Sequence, residues 1–247
     1  MVTAAPQDQW RLLDVQAHDT RLAQIAHKRR TLPELAEIET LTARQRAVGD
    51  DLVSARTVAS DIERELAKAE ADVEQVRQRA ARDQARLDSG QGTSKDLLSL
   101  QNELASLGQR QSVLEDVELE VMERLEAAQA RVAEIEAEAA RIADDLTAVA
   151  ARRDAAFAEL DTEAAGETGE RANAAAGVPG DLIALYEKVR EQNGGVGAAR
   201  LHQRRCEGCR LELNTIDIGR FRAAADDEVL RCEECRRILV RTPDSGL

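Results

Sequence analysis

Apolar residues recur along the middle of this chain at alternating steps of four and three. From Leu41 the series runs through Val48, Leu52, Ala55, Ala59, Ile62, Leu66, Ala69, Val73, Val76 and Ala80 to Leu87, with polar Gln45 and Asp83 as its only interruptions. A second series starts at Leu97 and passes Leu100, Leu104, Leu107, Leu114, Val121, Leu125, Val132, Ile135, Ile142, Leu146 and Val149 to Leu160, interrupted by Gln111, Glu118 and Arg153. A 3.5-residue repeat held this long predicts the seam of a left-handed coiled coil. Between the two series lies Asp88-Ser-Gly-Gln-Gly-Thr-Ser94. Its glycines stop one helix, Thr93 or Ser94 caps the next, and Asp96 suits the positive end of that helix. So short a turn folds the second helix back on the first.

Upstream, Trp10, Leu13, Leu22 and Ile25 extend the first arm's seam to Thr31-Leu-Pro33. There proline removes an N–H and forces a kink or a restart. Nearly equal arms predict that Gln7 returns to the neighbourhood of Leu160. The pattern decays at Ala164-Ala-Gly-Glu-Thr-Gly169, and Gly177-Val-Pro-Gly180 precedes a short amphipathic helix over 181–192. Asn193-Gly-Gly-Val-Gly197 then reads as a hinge to a separate small module. The expected organisation is a hairpin over 1–165 (turn near 88–94, kink near 31–33), a linker over 166–199, and a ribbon over 200–247. The expected fold class is mostly α: a long antiparallel coiled-coil helical hairpin plus a small C-terminal β zinc ribbon.

The ribbon follows from the cysteines. All four fall in the last 42 of the 247 residues, as Cys206-Glu-Gly-Cys209 and Cys232-Glu-Glu-Cys235. Two C-x-x-C pairs at this separation are the pattern of a tetrahedral zinc site, each tight turn aiming two thiolates at one ion. Leu211–Leu213, Glu228–Arg231 and Arg237–Arg241 read as the short strands that bring the pairs together. So small a module has too little core to fold without a metal. Two disulfides or two redox pairs are the other arrangements of four cysteines. Against them, nothing marks the chain as secreted and neither pair follows a strand of a βαβ unit. Four thiolates make a closed site, so one structural Zn2+ is expected on Cys206, Cys209, Cys232 and Cys235.

At these residues the sequence resembles a bacterial family that pairs a long coiled-coil hairpin with a C4-type zinc ribbon and is labelled nucleic-acid-binding. The resemblance is most specific at Val178-Pro-Gly-Asp-Leu-Ile-Ala-Leu-Tyr186-Glu-Lys-Val-Arg190, Gly194-Gly-Val-Gly-Ala-Ala199, the two cysteine pairs, and Arg236-Arg-Ile-Leu-Val240. It implies the same four metal ligands. It departs from the family where glycine usually follows the last cysteine and this chain has Arg236. If that position needs a positive φ, arginine is mildly strained there.

Charge sharpens the choice of partner. The formal net charge is −13, with 21 Lys and Arg against 33 Asp and Glu over residues 1–165, but 10 against 9 over residues 200–247. An acidic arm repels nucleic acid and anionic membrane, so any phosphate-binding surface belongs to the ribbon. Arg204, Arg205, Arg236 and Arg237 flank the cysteine pairs, and Arg220 and Arg222 lie between them. These six are the candidate nucleic-acid contacts. The competing reading is a protein-protein adaptor or chaperone-like scaffold, favoured by the few lysines and by only four aromatic residues. Three scattered histidines, no phosphate-binding glycine loop and no pocket in a two-helix hairpin argue against an enzyme or a small-molecule substrate. No apolar run reaches the ~20 residues of a membrane span, so a cytoplasmic, non-membrane protein is expected.

Overall fold

The computed structural model describes residues 2–247. Five α-helices carry most of the chain: α1 (Pro6–Arg30), α2 (Pro33–Asp88), α3 (Ser94–Ala176), α4 (Gly180–Gln192) and α5 (Thr215–Ala223). Four short strands, β1 (Ala198–His202), β2 (Arg205–Cys206), β3 (Leu230–Arg231) and β4 (Ile238–Arg241), form one sheet in the order β2-β1-β4-β3. The fold is mostly α, a coiled-coil hairpin with a small C-terminal strand region. The chain divides into two compact units, Ala36–Ala150 and the remainder.

Ala36–Ala150 is the hairpin of α2 and the first part of α3. Every buried side chain of α2 (Val48, Ala59, Ile62, Ala69, Val73, Val76) and of α3 (Leu107, Val121, Ile135, Ile142, Val149) stands in the predicted seam. Val48, Ile135 and Ile142 form a cluster flanked by Leu52, Ala55, Ala139 and Leu146. Antiparallel register is reinforced outside the seam by ion pairs between the helices: Arg44–Glu138, Arg56–Glu136, Glu65–Arg124, Arg77–Glu115 and Arg79–Glu103. Exposed pairs contribute little energy each, but a misregistered seam would set like charges opposite one another. At the turn, Thr93 is the N-cap of α3: its N–H donates to Asp96 Oδ2 at 2.9 Å and its hydroxyl accepts from the Asp96 N–H at 3.3 Å. The Thr93 N–H, and then the Thr93 hydroxyl donating to the same Oδ2 at 2.8 Å, hold the Asp96 carboxyl below its usual range.

In the other unit, α1 ends at Arg30 and Pro33 opens α2, where its missing N–H costs nothing. The expected end of the arm near 165 does not occur. α3 runs through Gly166 and Gly169 to Ala176, although an interior glycine costs about 1 kcal/mol against alanine. Packing against α1 offsets that cost. Glu167 accepts from His18 at 2.6 Å and from Arg21 at 3.0 Å, Arg171 holds Asp19, and Ala174 and Ala175 line the core. The register at this end therefore differs from the expected one. Arg29 pairs with Asp161 and stacks on Phe157, whereas the first turns of α1 reach Gly177, whose carbonyl accepts from Arg11 at 2.6 Å.

The face that α1 buries also differs. Its buried residues are Gln9, Leu12, Val15, Gln16, Asp19 and Ile25, while Trp10 is largely exposed. The reason is that α1 packs on α4 and on the sheet. Leu12 and Val15 share one core with Val178, Leu182, Tyr186, Ala198, Ile238 and Val240. A network of polar side chains organises that core. The Asp19 carboxylate, with only 4% of its side chain exposed, is gripped by Arg171 at 2.7 Å and accepts from the Tyr186 hydroxyl at 2.6 Å. Arg190 lies 3.5 Å away, and Glu187 pairs with both arginines. Burial, and then Asp19, push the Tyr186 hydroxyl well above its ordinary pKa, so it stays a donor. Gln16 receives the Gly197 N–H at 2.7 Å and donates to the Gly195 carbonyl at 3.1 Å. The expected hinge is thus a pinned segment. A Cβ on Gly197 would lie 2.7 Å from the Tyr186 carbonyl oxygen, so only glycine lets β1 start this close to α4.

Two stability predictions follow from the two units. Asp19→Ala takes the carboxylate acceptor from the buried Tyr186 hydroxyl and leaves half-buried Arg171 with Glu187 alone, and is expected to cost about 3 kcal/mol, measured by urea unfolding with Trp10 fluorescence. In the hairpin, Ile142→Ala is expected to cost about 2–5 kcal/mol, and half-buried Leu125→Ala to fall at the low end. Thermal melts of the two variants at 222 nm check that order.

Candidate metal centre

Two tight turns make the centre. Cys206-Glu-Gly-Cys209 follows β2, and the Arg210 N–H donates to the Cys206 carbonyl at 2.7 Å. Cys232-Glu-Glu-Cys235 follows β3, and the Arg236 N–H donates to the Cys232 carbonyl at 2.9 Å. Both turns end in a left-handed residue, Arg210 at φ 64° and Arg236 at φ 61°. The position after each pair therefore does require positive φ, and arginine adopts it twice without breaking the turn.

The four Sγ atoms lie within 4.8 Å of one another. Cys206 and Cys235 are 3.8 Å apart, and Cys209 and Cys232 are 3.9 Å apart. A Zn–S bond of 2.3 Å implies a tetrahedron edge of about 3.8 Å, so two opposite edges of the sulfur cage already have the length a zinc ion needs. Burial pushes the Cys206 and Cys232 thiols up in pKa, against backbone N–H groups of Gly208, Cys209, Glu234 and Cys235 that donate toward the sulfurs. At Cys235 burial is outweighed by the N–H and the guanidinium of Arg237, and the thiol moves down. Zinc would bind all four as thiolates, and these donors would share the cluster's negative charge. Cys206 and Cys232 also belong to a second core with Leu201, Leu213, Ile218, Phe221, Leu230 and Leu239, so metal and apolar packing order the same segment.

The segment between the cysteine pairs departs from the expected strands. Leu211–Leu213 contributes only an isolated bridge, Arg205 with Glu212, and Glu228–Arg231 shortens to Leu230–Arg231. Helix α5, which the strand pattern missed, occupies the middle. Its signal is present: Asn214 caps it by accepting the Asp217 N–H at 2.8 Å, and Ile218 and Phe221 face the core. Nor is the ribbon a separate module. Ala4 donates to the Asp227 carbonyl at 2.8 Å, Thr3 bridges Glu228, and the Trp10 indole N–H donates to the Arg241 carbonyl at 2.6 Å.

The six candidate arginines meet different fates. Arg237 donates to the carbonyls of Val196 at 3.1 Å, Asn193 at 3.0 Å and Gly208 at 3.2 Å. A Cβ on Gly208 would lie 2.6 Å from Arg237 Cδ, so glycine admits this rivet. Arg220 and Arg236 both pair with Glu233, at 2.5 and 3.2 Å. Arg204 sits in the β1–β2 turn at φ 62°, where its N–H meets the Ser245 carbonyl and its side chain the Gly246 carbonyl. Arg205 and Arg222 are exposed, with no ion pair or side-chain hydrogen bond among the described residues.

Comparisons with known proteins agree with this geometry. The CT398-like coiled coil hairpin domain matches residues 15–194, and the C4-type zinc ribbon domain matches residues 205–239. The uncharacterized protein Rv2229c of Mycobacterium tuberculosis is 37% identical over 230 residues, 93% of this chain and 94% of that protein. A structure from Mycobacterium smegmatis, 37% identical, superposes with a TM-score of 0.87 over 98% of this chain and 100% of that one. CT398 of Chlamydia trachomatis, at 13% identity, shares the fold with a TM-score of 0.68 over 96% and 98% of the two chains.

Metal analysis of the purified protein should find one zinc per chain. Cys232→Ser, which removes a share of the about 10–16 kcal/mol that such sites contribute, should strip hydrogen-exchange protection from residues 205–235. It should spare most helical signal and part of the protection at β1 and β4, which the α1–α4 core also holds. Loss of the whole helical signal would show instead that the helices depend on the metal.

Proposed function

The chain belongs to the CT398-like coiled coil hairpin family and carries a C4-type zinc ribbon, and from that premise we propose that it is a non-enzymatic adaptor whose ribbon docks on a protein. Both matching families are described by structural elements, a coiled coil hairpin and a zinc ribbon. No helix among the described residues is long and apolar enough to cross a membrane. The observation that supports a protein partner over a nucleic acid is the employment of the ribbon's arginines. Phosphate recognition needs guanidinium forks free to pair. Here Arg237 is consumed by three backbone carbonyls, Arg241 by those of Ala224, Ala225, Asp226 and Glu228, and Arg220 and Arg236 by one carboxylate.

The ribbon meanwhile holds large apolar side chains in water. Ile216 is 84% exposed and Leu211 50% exposed. On α5 the spacing i, i+3, i+4, i+7 sets Ile216, Gly219, Arg220 and Ala223 on one stripe, away from buried Ile218 and Phe221. An apolar, low-relief helix face rimmed by charge is suited to protein contact. Nucleic-acid contact by Arg204, Arg205 and Arg222 is the second reading, favoured by the free guanidinium groups of Arg205 and Arg222.

A photo-crosslinking side chain at Ile216 of the full-length, zinc-loaded protein tests the first reading. Discrete protein adducts are expected from position 216, and not from position 200, which is also exposed. In parallel, duplex DNA and RNA binding is titrated against salt. Binding whose salt slope falls by about 0.9 per lost duplex phosphate contact in R205Q/R222Q, with no adduct at 216, would transfer the function to nucleic acid.

A further inference from the structure

The acidity of the protein is concentrated in the hairpin unit, where residues 36–150 hold 14 Lys and Arg against 25 Asp and Glu. It is densest on α3 over Glu115–Glu126, with carboxylates at 115, 116, 118, 120, 123 and 126. The one basic residue in that stretch, Arg124, is engaged by Glu65 at 3.0 Å. The same stretch carries three large apolar side chains outside the seam, Leu119 at 57% exposure, Val117 at 44% and Met122 at 40%.

Helical spacing determines how these groups are arranged. Residues 115, 119, 122 and 126 are separated by four, three and four positions and share one stripe, with Asp116 and Glu123 in the adjacent row. Leu119 and Met122 therefore form an apolar pair bounded lengthwise by Glu115 and Glu126 and on its outer side by Asp116 and Glu123. The seam lies elsewhere, through Leu114, Val121 and Leu125. Exposed Val113 and Val117 lie on the opposite flank and take no part. The α2 cation beside this stripe is Arg77, which donates to Glu115 at 2.6 Å. Glu118 and Glu74 add their charge around Arg77, so the local balance stays negative.

We propose that this face of α3, Glu115–Glu126, docks a basic amphipathic helix of a partner protein. Apolar residues of the partner at i, i+3 or i+4 would cover Leu119 and Met122. Lys or Arg on either side would meet Glu126, Glu123 and Asp116. The charge that selects such a helix repels nucleic acid and anionic lipid, and the apolar pair distinguishes it from any polycation. The proposal rests on the adaptor reading only in naming a protein partner; the ribbon's own contact is a separate surface.

The test uses full-length, zinc-loaded protein and a fluorescent lysine-leucine peptide with leucines at i, i+3, i+4 and i+7. Fluorescence anisotropy at physiological salt reads the affinity. L119S/M122S keeps every charge and should weaken binding about tenfold or more. D116N/E123Q should weaken it and flatten its salt dependence, while V53S on α2 leaves it unchanged. A scrambled peptide of the same composition should bind the parent as weakly as the parent peptide binds L119S/M122S. A photo-crosslinker replacing Met122 gives an independent measurement that does not need the double variant, and should label the peptide. Equal binding by parent and L119S/M122S, equal binding of the scrambled peptide, or no label at 122 would each overturn the proposal. Loss of peptide binding in I216S alone would overturn it too, yet leave the ribbon reading standing.

Discussion

A carboxylate with almost no access to water sets the terms for the unit that bears the zinc site. Isolated in an apolar interior, Asp19 would cost several kcal/mol. The fold gathers compensating donors from distant segments: Arg171 from α3, and Tyr186 and Arg190 from α4. Each donor is useful only if its helix is in register, so one charge fixes three helices. Gln16, one turn before Asp19, carries the constraint onward by receiving the first N–H groups of the sheet segment at Gly197 and Ala198. β1 is thereby placed to accept β4 in parallel pairing, and β4 connects back to the second cysteine pair.

The metal site inherits that placement. Zinc closes the two cysteine turns and the core around Leu201, Phe221 and Leu239, but β1 and β4 have a second face on Leu12, Val15 and Tyr186. A ribbon is usually too small to hold a core, and here the difficulty is shared between an ion on one side and a helical platform on the other. The peptide of Tyr186-to-Arg190 and the glycines before β1, specific as a motif, are therefore explained by packing. Tyr186 and Arg190 serve Asp19, and Gly197 permits the approach of β1 to α4.

What was legible in the chain depended on whether the signal was local and periodic. All buried positions of the hairpin stood in the 4-3 repeat, because a seam between two helices obeys only helical geometry. Likewise the cysteine spacing identified the metal cage, since two-residue gaps dictate the turn by themselves. The face of α1 was not legible. Trp10, Leu13 and Leu22 fitted a continuation of the seam, but Gln9, Gln16 and Asp19 are buried there, and polar residues become core only when a distant arginine, tyrosine or backbone N–H receives them. The continuation of α3 through Gly166 and Gly169 was hidden for the same reason: local propensity opposed it, and Arg171 with Asp19 reversed the sum. α5 lay between these cases, its cap visible at Asn214 but its nine residues too few for a helical period to register.

The same physics revises what positive charge means in this protein. Arginine is the residue of choice where several carbonyls or a buried carboxylate must be gathered at once, because its planar fork donates in several directions and stays charged. Arg171 does this for Asp19, Arg237 for the loop before β1 and the first cysteine turn, and Arg241 for the loop after α5. A cluster of arginines around a zinc site thus has two physical explanations that composition cannot separate. One is a surface that awaits phosphate; the other is a small scaffold short of apolar core that rivets its loops with guanidinium groups. Arg237 and Arg241 are spent on backbone carbonyls, and Arg236 with Arg220 on Glu233, so four of the ten arginines over residues 200–247 serve the ribbon's own construction. Among the charged groups at its surface the ribbon also holds two large apolar side chains in water, Ile216 and Leu211, and these are what favour the protein-docking reading proposed for it.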